Sequence, residues 1–164
     1  MTISAGVITI SDKGSRGERE DISGLEIVRA LEGLGIQVNY TKIIPDEEEL
    51  IRQALLEYAD TKQLDLILTT GGTGVSPRDV TPDATLKVID KEVPGMAEAM
   101  RRESAAITPH AMISRAVTGI RGRSLIINLP GSPRGVRENL AVVLPALRHA
   151  VEKIKGDESD CGSA

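Results

Sequence analysis

The sequence predicts an α/β domain: a three-layer α/β/α sandwich on a mostly parallel sheet with one antiparallel edge strand. Three observations carry that expectation. Short β-branched runs alternate with longer segments of helical spacing, the signature of right-handed β-α-β units. The run 64–70 (LDLILTT) is almost continuously apolar, as a strand covered on both faces must be. The segments 116–122 and 124–129 (AVTGIRG and SLIINL) flank a tight turn at Gly122-Arg123, which reads as an antiparallel pair.

Each element has its own warrant. Residues 5–10 (AGVITI) form a first strand that stops at Ser11-Asp12. From Ile22 to Leu34, the residues Ile22, Leu25, Ile27, Val28, Leu31 and Leu34 recur at helical spacing, and Gly35 is a C-terminal stop. Residues 36–44 read as a strand closed by Pro45-Asp46. Glu47, Glu48 and Glu49 then open a helix, three acids suited to its positive N-terminus. After the strand at 64–70, helices are expected at about 82–91 and 95–104. The last helix, about 134–155, carries Val136, Leu140, Val143, Leu147, Val151 and Ile154 on one side, and Pro145 inside it predicts a kink or a break. Residues 1–155 thus make one domain. Residues 156–164 (GDESDCGSA) are acidic and apolar-poor, and read as a disordered tail.

Composition excludes several functions. A formal net charge of −4 gives no field that favours nucleic acid or an anionic membrane. Two tyrosines are the only aromatics, so base stacking on rings is nearly unavailable. The single cysteine, Cys161, permits neither an internal disulfide nor a Cys-based metal site, which fits a reducing cytoplasm. No signal-peptide pattern opens the chain and no run approaches the length of a membrane span, so a cytoplasmic protein is expected.

The chemistry is concentrated at strand ends. In open α/β sheets, ligands bind outside the carboxyl ends of the strands. Four such ends here are rich in functional groups: Ser11-Asp12, Pro45-Asp46, the run from Gly71 to Asp79 (GGTGVSPRD), and Pro130-Gly131-Ser132-Pro133 with Arg134. Glycines bring bare backbone amides to the sheet edge, where an anion can approach without meeting a Cβ. There is no G-x-x-x-x-G-K-[ST] loop, no G-x-G-x-x-G at the first strand turn, no G-x-S-x-G elbow and no H-E-x-x-H pair. Phosphate charge must therefore be met by Arg78, Arg134, backbone amides and a divalent cation. Mg²⁺ takes oxygen ligands, commonly one or two carboxylates with substrate phosphates and water, and Asp46 and Asp79 are the obvious pair. Two readings of Asp46 stand side by side, a metal ligand or an N-cap for the helix that follows. Asp83 reads as a first-turn helix residue, Thr81 and Thr85 as turn and helix-start hydroxyls, and His110 and His149 as surface or interface residues. The charged segment from Glu18 to Asp21 reads as a solvated turn placed to close over a ligand.

The runs TTGGTGVSPRDVTPDAT (69–85), IPDE (44–47), VITISDKGS (7–15) and LPGSP (129–133) together resemble the molybdopterin-binding family of MoaB, Mog and the gephyrin G domain. The four motifs occur in the family's order and the resemblance spans about residues 5–154. It implies a cytoplasmic homotrimer that adenylates molybdopterin with Mg-ATP, releasing pyrophosphate ahead of a molybdate-insertion enzyme, its possible downstream partner. The alternative is a non-catalytic molybdopterin carrier or scaffold that kept the cleft. By the same resemblance, Asp46 and Asp79 are the catalytic, Mg²⁺-holding aspartates. Thr70, Gly71, Gly72, Thr73, Gly74, Ser76 and Arg78 would hold the pterin phosphate. Ser11, Asp12, Pro130, Gly131, Ser132 and Pro133 would line the nucleotide side.

Overall fold

A computed structural model describes residues 1–159. Its sheet has six strands: β1 (Ser4–Ile10), β2 (Gln37–Ile44), β3 (Leu66–Thr70), β4 (Lys91–Glu92), β5 (Thr118–Arg121) and β6 (Ser124–Leu129), in the order β2-β1-β3-β6-β5-β4. The first four in that order are mutually parallel. β5 runs antiparallel to β6, as the turn at Gly122-Arg123 predicts, and the two-residue β4 pairs antiparallel outside it.

Side-chain alternation along the parallel strands feeds two cores. Ala5, Val7, Leu66, Leu68, Leu125, Ile127 and Leu129 face one layer, packed by α2 (Ile22–Glu32), α5 (Pro94–Ala105) and α6 (Pro133–Ile154). Ile8, Ile10, Ile67 and Ile126 face the other, under α3 (Glu48–Leu56) and α4 (Thr81–Leu86). This is the sandwich the alternating pattern predicts, with strand interiors apolar on both faces.

The largest departures from the expected elements are short. Asp12–Ser15 forms a single helical turn, α1, capped when Ser11 Oγ accepts from the Gly14 amide (2.9 Å). The helix expected over 82–91 ends at Leu86, and Lys91–Glu92 instead joins the sheet. Pro109–Ile113 winds into a 3₁₀ turn, and Glu57–Thr61 continues α3 as a π turn. Helix α6 passes unbroken through Pro145, which sits on its exposed side. There the carbonyl left without an N–H partner is open to water. Of the segment expected to be a disordered tail, Gly156 follows the cap residue Lys155 of α6 at φ +95°, while 160–164, Cys161 included, lie outside the described residues. No helix among the described residues is long and apolar enough to cross a membrane.

Candidate active site at the carboxyl edge of the sheet

The chain leaves β1 toward β2 on one side and returns to β3 on the other, so the strand order switches between β1 and β3. Helices turn away in opposite directions there and a crevice opens. Ser11, Gly71 and Pro130 follow directly on β1, β3 and β6, and the segment after β2 brings Pro45-Asp46 to the same edge. The four strand ends picked out in the sequence are therefore neighbours.

Gly71 is fixed by sterics. Its φ is +100°, and a Cβ there would stand 2.2 Å from the Ile10 carbonyl oxygen, so only glycine lets β3 turn this close to β1. Its amide is spent on the Leu129 carbonyl (3.1 Å). Gly72, also at positive φ, faces Thr81 Oγ1 and Asp46 Oδ1, at 2.4 and 3.2 Å from the position of a Cβ. The loop is held from the interior by a relay of side chains. Asn128, fully buried on β6, donates to Thr69 and Thr85 hydroxyls (both 3.0 Å) and accepts from the Val117 amide (3.1 Å). Thr85 Oγ1 donates to the Thr81 carbonyl (2.8 Å), and Thr81 Oγ1 donates to the Gly71 carbonyl (2.9 Å). Thr81 and Thr85 are thus structural braces. Thr70 Oγ1 donates to the Pro130 carbonyl (2.7 Å) and ties the glycine loop to the loop after β6. Among the described residues, the amides of Gly72, Thr73 and Gly74 meet no protein acceptor and remain free for an anion.

The two aspartates approach this loop at different glycines, Asp46 at Gly72 and Asp79 at Gly74. Helix α3 begins at Glu48 with Glu47 at its cap position, so Asp46 does not cap it. Instead the Asp12 amide donates to Asp46 Oδ2 (2.9 Å), and the Asp46 amide donates to Asp12 Oδ1 (3.0 Å), a reciprocal pair that locks β1 to β2. Asp46 Oδ1 is left beside Gly72. Asp79 Oδ2 accepts from the Ser76 amide (3.0 Å) and lies 2.8 Å from the position of a Cβ on Gly74. Burial pushes the Asp46 carboxyl above its ordinary range; the Asp12 amide bond works against this, while the negative charges of Asp12 and Asp79 add to it. Two carboxylates within electrostatic reach, each with an oxygen that takes no hydrogen bond among the described residues, make a hard, oxygen-only donor set. That set fits Mg²⁺, which holds to one or two carboxylates and completes its shell with phosphate and water.

Arg78 is engaged elsewhere. Its guanidinium donates to both Asp12 oxygens (3.1 and 2.9 Å) and to Glu47 Oε1 (2.9 Å), across three strand ends. Asp12 is accordingly held below the usual carboxylate range by Arg78 first.

Two cavities flank the glycine loop. One, of about 630 Å³, is lined by Ser11, Asp46, Gly71, Gly72, Gly131 and Pro133, and by Arg19, Glu20 and Asp21. The charged segment after α1 does wall the site. Asp21 is built into it: it caps α2 by accepting from the Gly24 amide (2.9 Å) and takes the Thr9 hydroxyl (2.8 Å). The second cavity, of about 440 Å³, lies beyond Thr73 and Gly74 and is walled by Arg101, His110, Arg134 and Asn139. Ser132 borders both, and its hydroxyl caps α6 by accepting from the Gly135 amide (3.0 Å).

Arg101, His110 and Asn139 are among the wall residues that sequence reasoning did not assign to a site. They come from helices outside the four motifs, where no local signal marks them. Arg115 was also unmarked, yet it braces the loop that carries Asp79: its side chain donates to the carbonyls of Gly74 (2.8 Å) and Asp79 (2.5 Å) and pairs with Asp83.

Residues 6–149 match the family described as a probable molybdopterin binding domain. The chain is 46% identical over 159 residues to a molybdopterin adenylyltransferase of Helicobacter pylori, covering 96% of this chain and 90% of that one. It is 43% identical to the molybdopterin adenylyltransferase of Escherichia coli K12, covering 88% and 75%. The fold superposes with a TM-score of 0.90 on the molybdopterin biosynthesis enzyme MoaB of Thermus thermophilus, at 50% identity and 95% and 98% coverage.

Proposed function

Since the chain belongs to the molybdopterin-binding domain family and is a molybdopterin adenylyltransferase of molybdenum-cofactor biosynthesis, we propose that its two cavities divide the substrates across the glycine loop. ATP lies in the cavity of Ser11, Gly131, Ser132 and Pro133; Pro130, expected on the nucleotide side, instead lines the second cavity, and Asp12 lines neither, its carboxylate taken by Arg78. Molybdopterin lies in the cavity beyond Thr73 and Gly74. The observation that carries this reading is the position of the glycine loop at the junction: Gly71 and Gly72 line one cavity together with Asp46, Thr73 and Gly74 line the other, and Asp79 reaches toward Gly74.

In the reaction, an oxygen of the molybdopterin phosphate forms a bond to the α-phosphorus of ATP, and the bond from that phosphorus to pyrophosphate breaks. A phosphate monoester is already a nucleophile near neutral pH, so the protein needs no strong general base. Positioning and charge neutralisation carry such a transfer. The free amides of Gly72, Thr73 and Gly74, with Ser76 on the same loop, orient the attacking phosphate; Thr70, its hydroxyl held by the Pro130 carbonyl, braces that loop from the nucleotide side. The N-terminus of α6 after Gly131 and Ser132 supplies partial positive charge to the nucleotide side. Arg78 reaches the phosphates by giving up its bonds to Asp12 and Glu47. Asp46 and Asp79 would hold Mg²⁺, which when bound neutralises charge on the triphosphate and its leaving group.

We read residues 1–155 as one catalytic domain, acting in the cytoplasm as a homotrimer and passing its product to the molybdate-insertion step. Incubation with ATP, Mg²⁺ and molybdopterin should release pyrophosphate in step with adenylated pterin, and chelation should stop it. Pyrophosphate release that survives chelation contradicts the metal role. Stoichiometric pterin binding with no pyrophosphate release would instead mark a carrier.

A further inference from the structure

We propose that Arg115 is a positioning residue for adenylyl transfer, setting the orientation of the Asp79 carboxylate toward the glycine loop. The inference rests on the metal role assigned above to Asp79.

Asp79 sits on an exposed loop between β3 and α4 with little apolar packing to fix it. Its own turn, closed by the Asp79 amide to the Ser76 carbonyl (2.9 Å) and the Ser76 amide to Asp79 Oδ2, defines only the local geometry. That turn is tied to the molecule on one side by Arg78, bonded to Asp12 and Glu47, and on the side of Asp79 by a single residue from the distant segment before β5. The Arg115 amide donates to the Thr73 carbonyl (2.8 Å). Its Nε donates to the Gly74 carbonyl and its Nη2 to the Asp79 carbonyl, at 2.8 and 2.5 Å. Nη1 and Nη2 then take both oxygens of Asp83, at 3.2 and 3.0 Å, in the first turn of α4. One planar guanidinium therefore spans the loop's entry, the backbone of the aspartate and the helix that follows.

A lysine cannot reproduce this. Its ammonium is a point charge without the rigid fork needed to reach two carbonyls and a carboxylate at once. The Arg115 side chain lies about 39% exposed, beside the apolar core rather than within it. Its loss should loosen the loop more than it weakens the fold.

The test compares Arg115→Lys, Arg115→Ala, Asp83→Asn and Asp79→Asn. For Arg115→Ala, amide exchange over residues 74–80 should quicken by about tenfold, with the central strands unchanged. The Mg²⁺ concentration for half-maximal pyrophosphate release should rise by about tenfold in Arg115→Ala and several-fold in Arg115→Lys, a shift that a smaller folded fraction cannot produce. Asp83→Asn keeps the carbonyl contacts and should show a smaller shift of the same sign. Should Arg115→Ala fail to fold, Arg115→Lys decides. An Arg115→Lys enzyme with unchanged loop exchange and Mg²⁺ dependence, beside an inactive Asp79→Asn, overturns the proposal alone. Full turnover by Asp79→Asn overturns the site reading and this proposal with it.

Discussion

A β-carbon on Gly71 would collide with the Ile10 carbonyl and would occupy backbone at φ +100°. Gly71→Ala should therefore cost roughly 1–3 kcal/mol from strain alone, read as a lower denaturant midpoint, and the clash adds to it. Asp46 behaves in the opposite way. Its carboxyl is pushed up chiefly by burial, so the folded chain holds that proton more tightly than the unfolded one. The sign follows directly: the contribution to stability is greatest at low pH and is lost as pH rises through the raised value. Asp46→Asn should then stabilise the ligand-free protein at neutral pH, raising Tm by roughly 1–3 °C, while ending turnover. A site residue whose removal helps the fold is kept for chemistry. Asp79→Asn should leave Tm within about 2 °C and lower pyrophosphate release by at least about a hundredfold.

Buried polar pairs decide stability at the scale of the elements. Asn128 on β6 serves Thr69 on β3, Thr85 on α4 and the Val117 amide before β5. Asn128→Ala strands those groups away from water and should cost at least about 2 kcal/mol, with the glycine loop loosened through Thr85 and Thr81. At the opposite edge of the sheet, burial disfavours charge on Asp65, but bonds from Lys155 and Ser4 outweigh it and hold its carboxyl below the ordinary value. Its stabilisation is present above the unfolded value of about 4 and fades as pH falls through the lower folded one. Acid titration of Asp65→Asn should accordingly show a shallower loss of stability below about pH 4 than the parent.

The long elements were legible because their apolar spacing follows from which face they bury. The short ones were not. β4 owes its two ladder pairs to β5 rather than to any alternation of its own. α1 exists because Ser11 and the Asp12–Asp46 lock hold it. Pro145 predicts a kink or a break wherever a buried carbonyl would lose its partner, but on the exposed side of α6 water takes that role and the helix continues.

In the whole molecule, the strand-order switch between β1 and β3 gathers four separate loops at one crevice, the candidate site. Each loop carried its own signal in the sequence, so the glycines, the two aspartates and the loop after β6 could be named before any coordinates. The walls contributed by α5, the 3₁₀ turn and α6 could not, because Arg101, His110 and Asn139 are ordinary helix and turn residues until packing brings them to one cavity. Arg115 is hidden for the same reason: its partners lie more than thirty positions away in the chain. Arg78, by contrast, was visible, but its pairing with Asp12 and Glu47 was not. The most direct test is the anomalous signal of crystals grown with Mn²⁺ and a non-hydrolysable ATP analogue. A metal peak bound by both Asp46 and Asp79 against the Gly71 to Gly74 loop is the expected result. A peak that touches neither carboxylate, with the triphosphate lying away from that loop, would contradict the account.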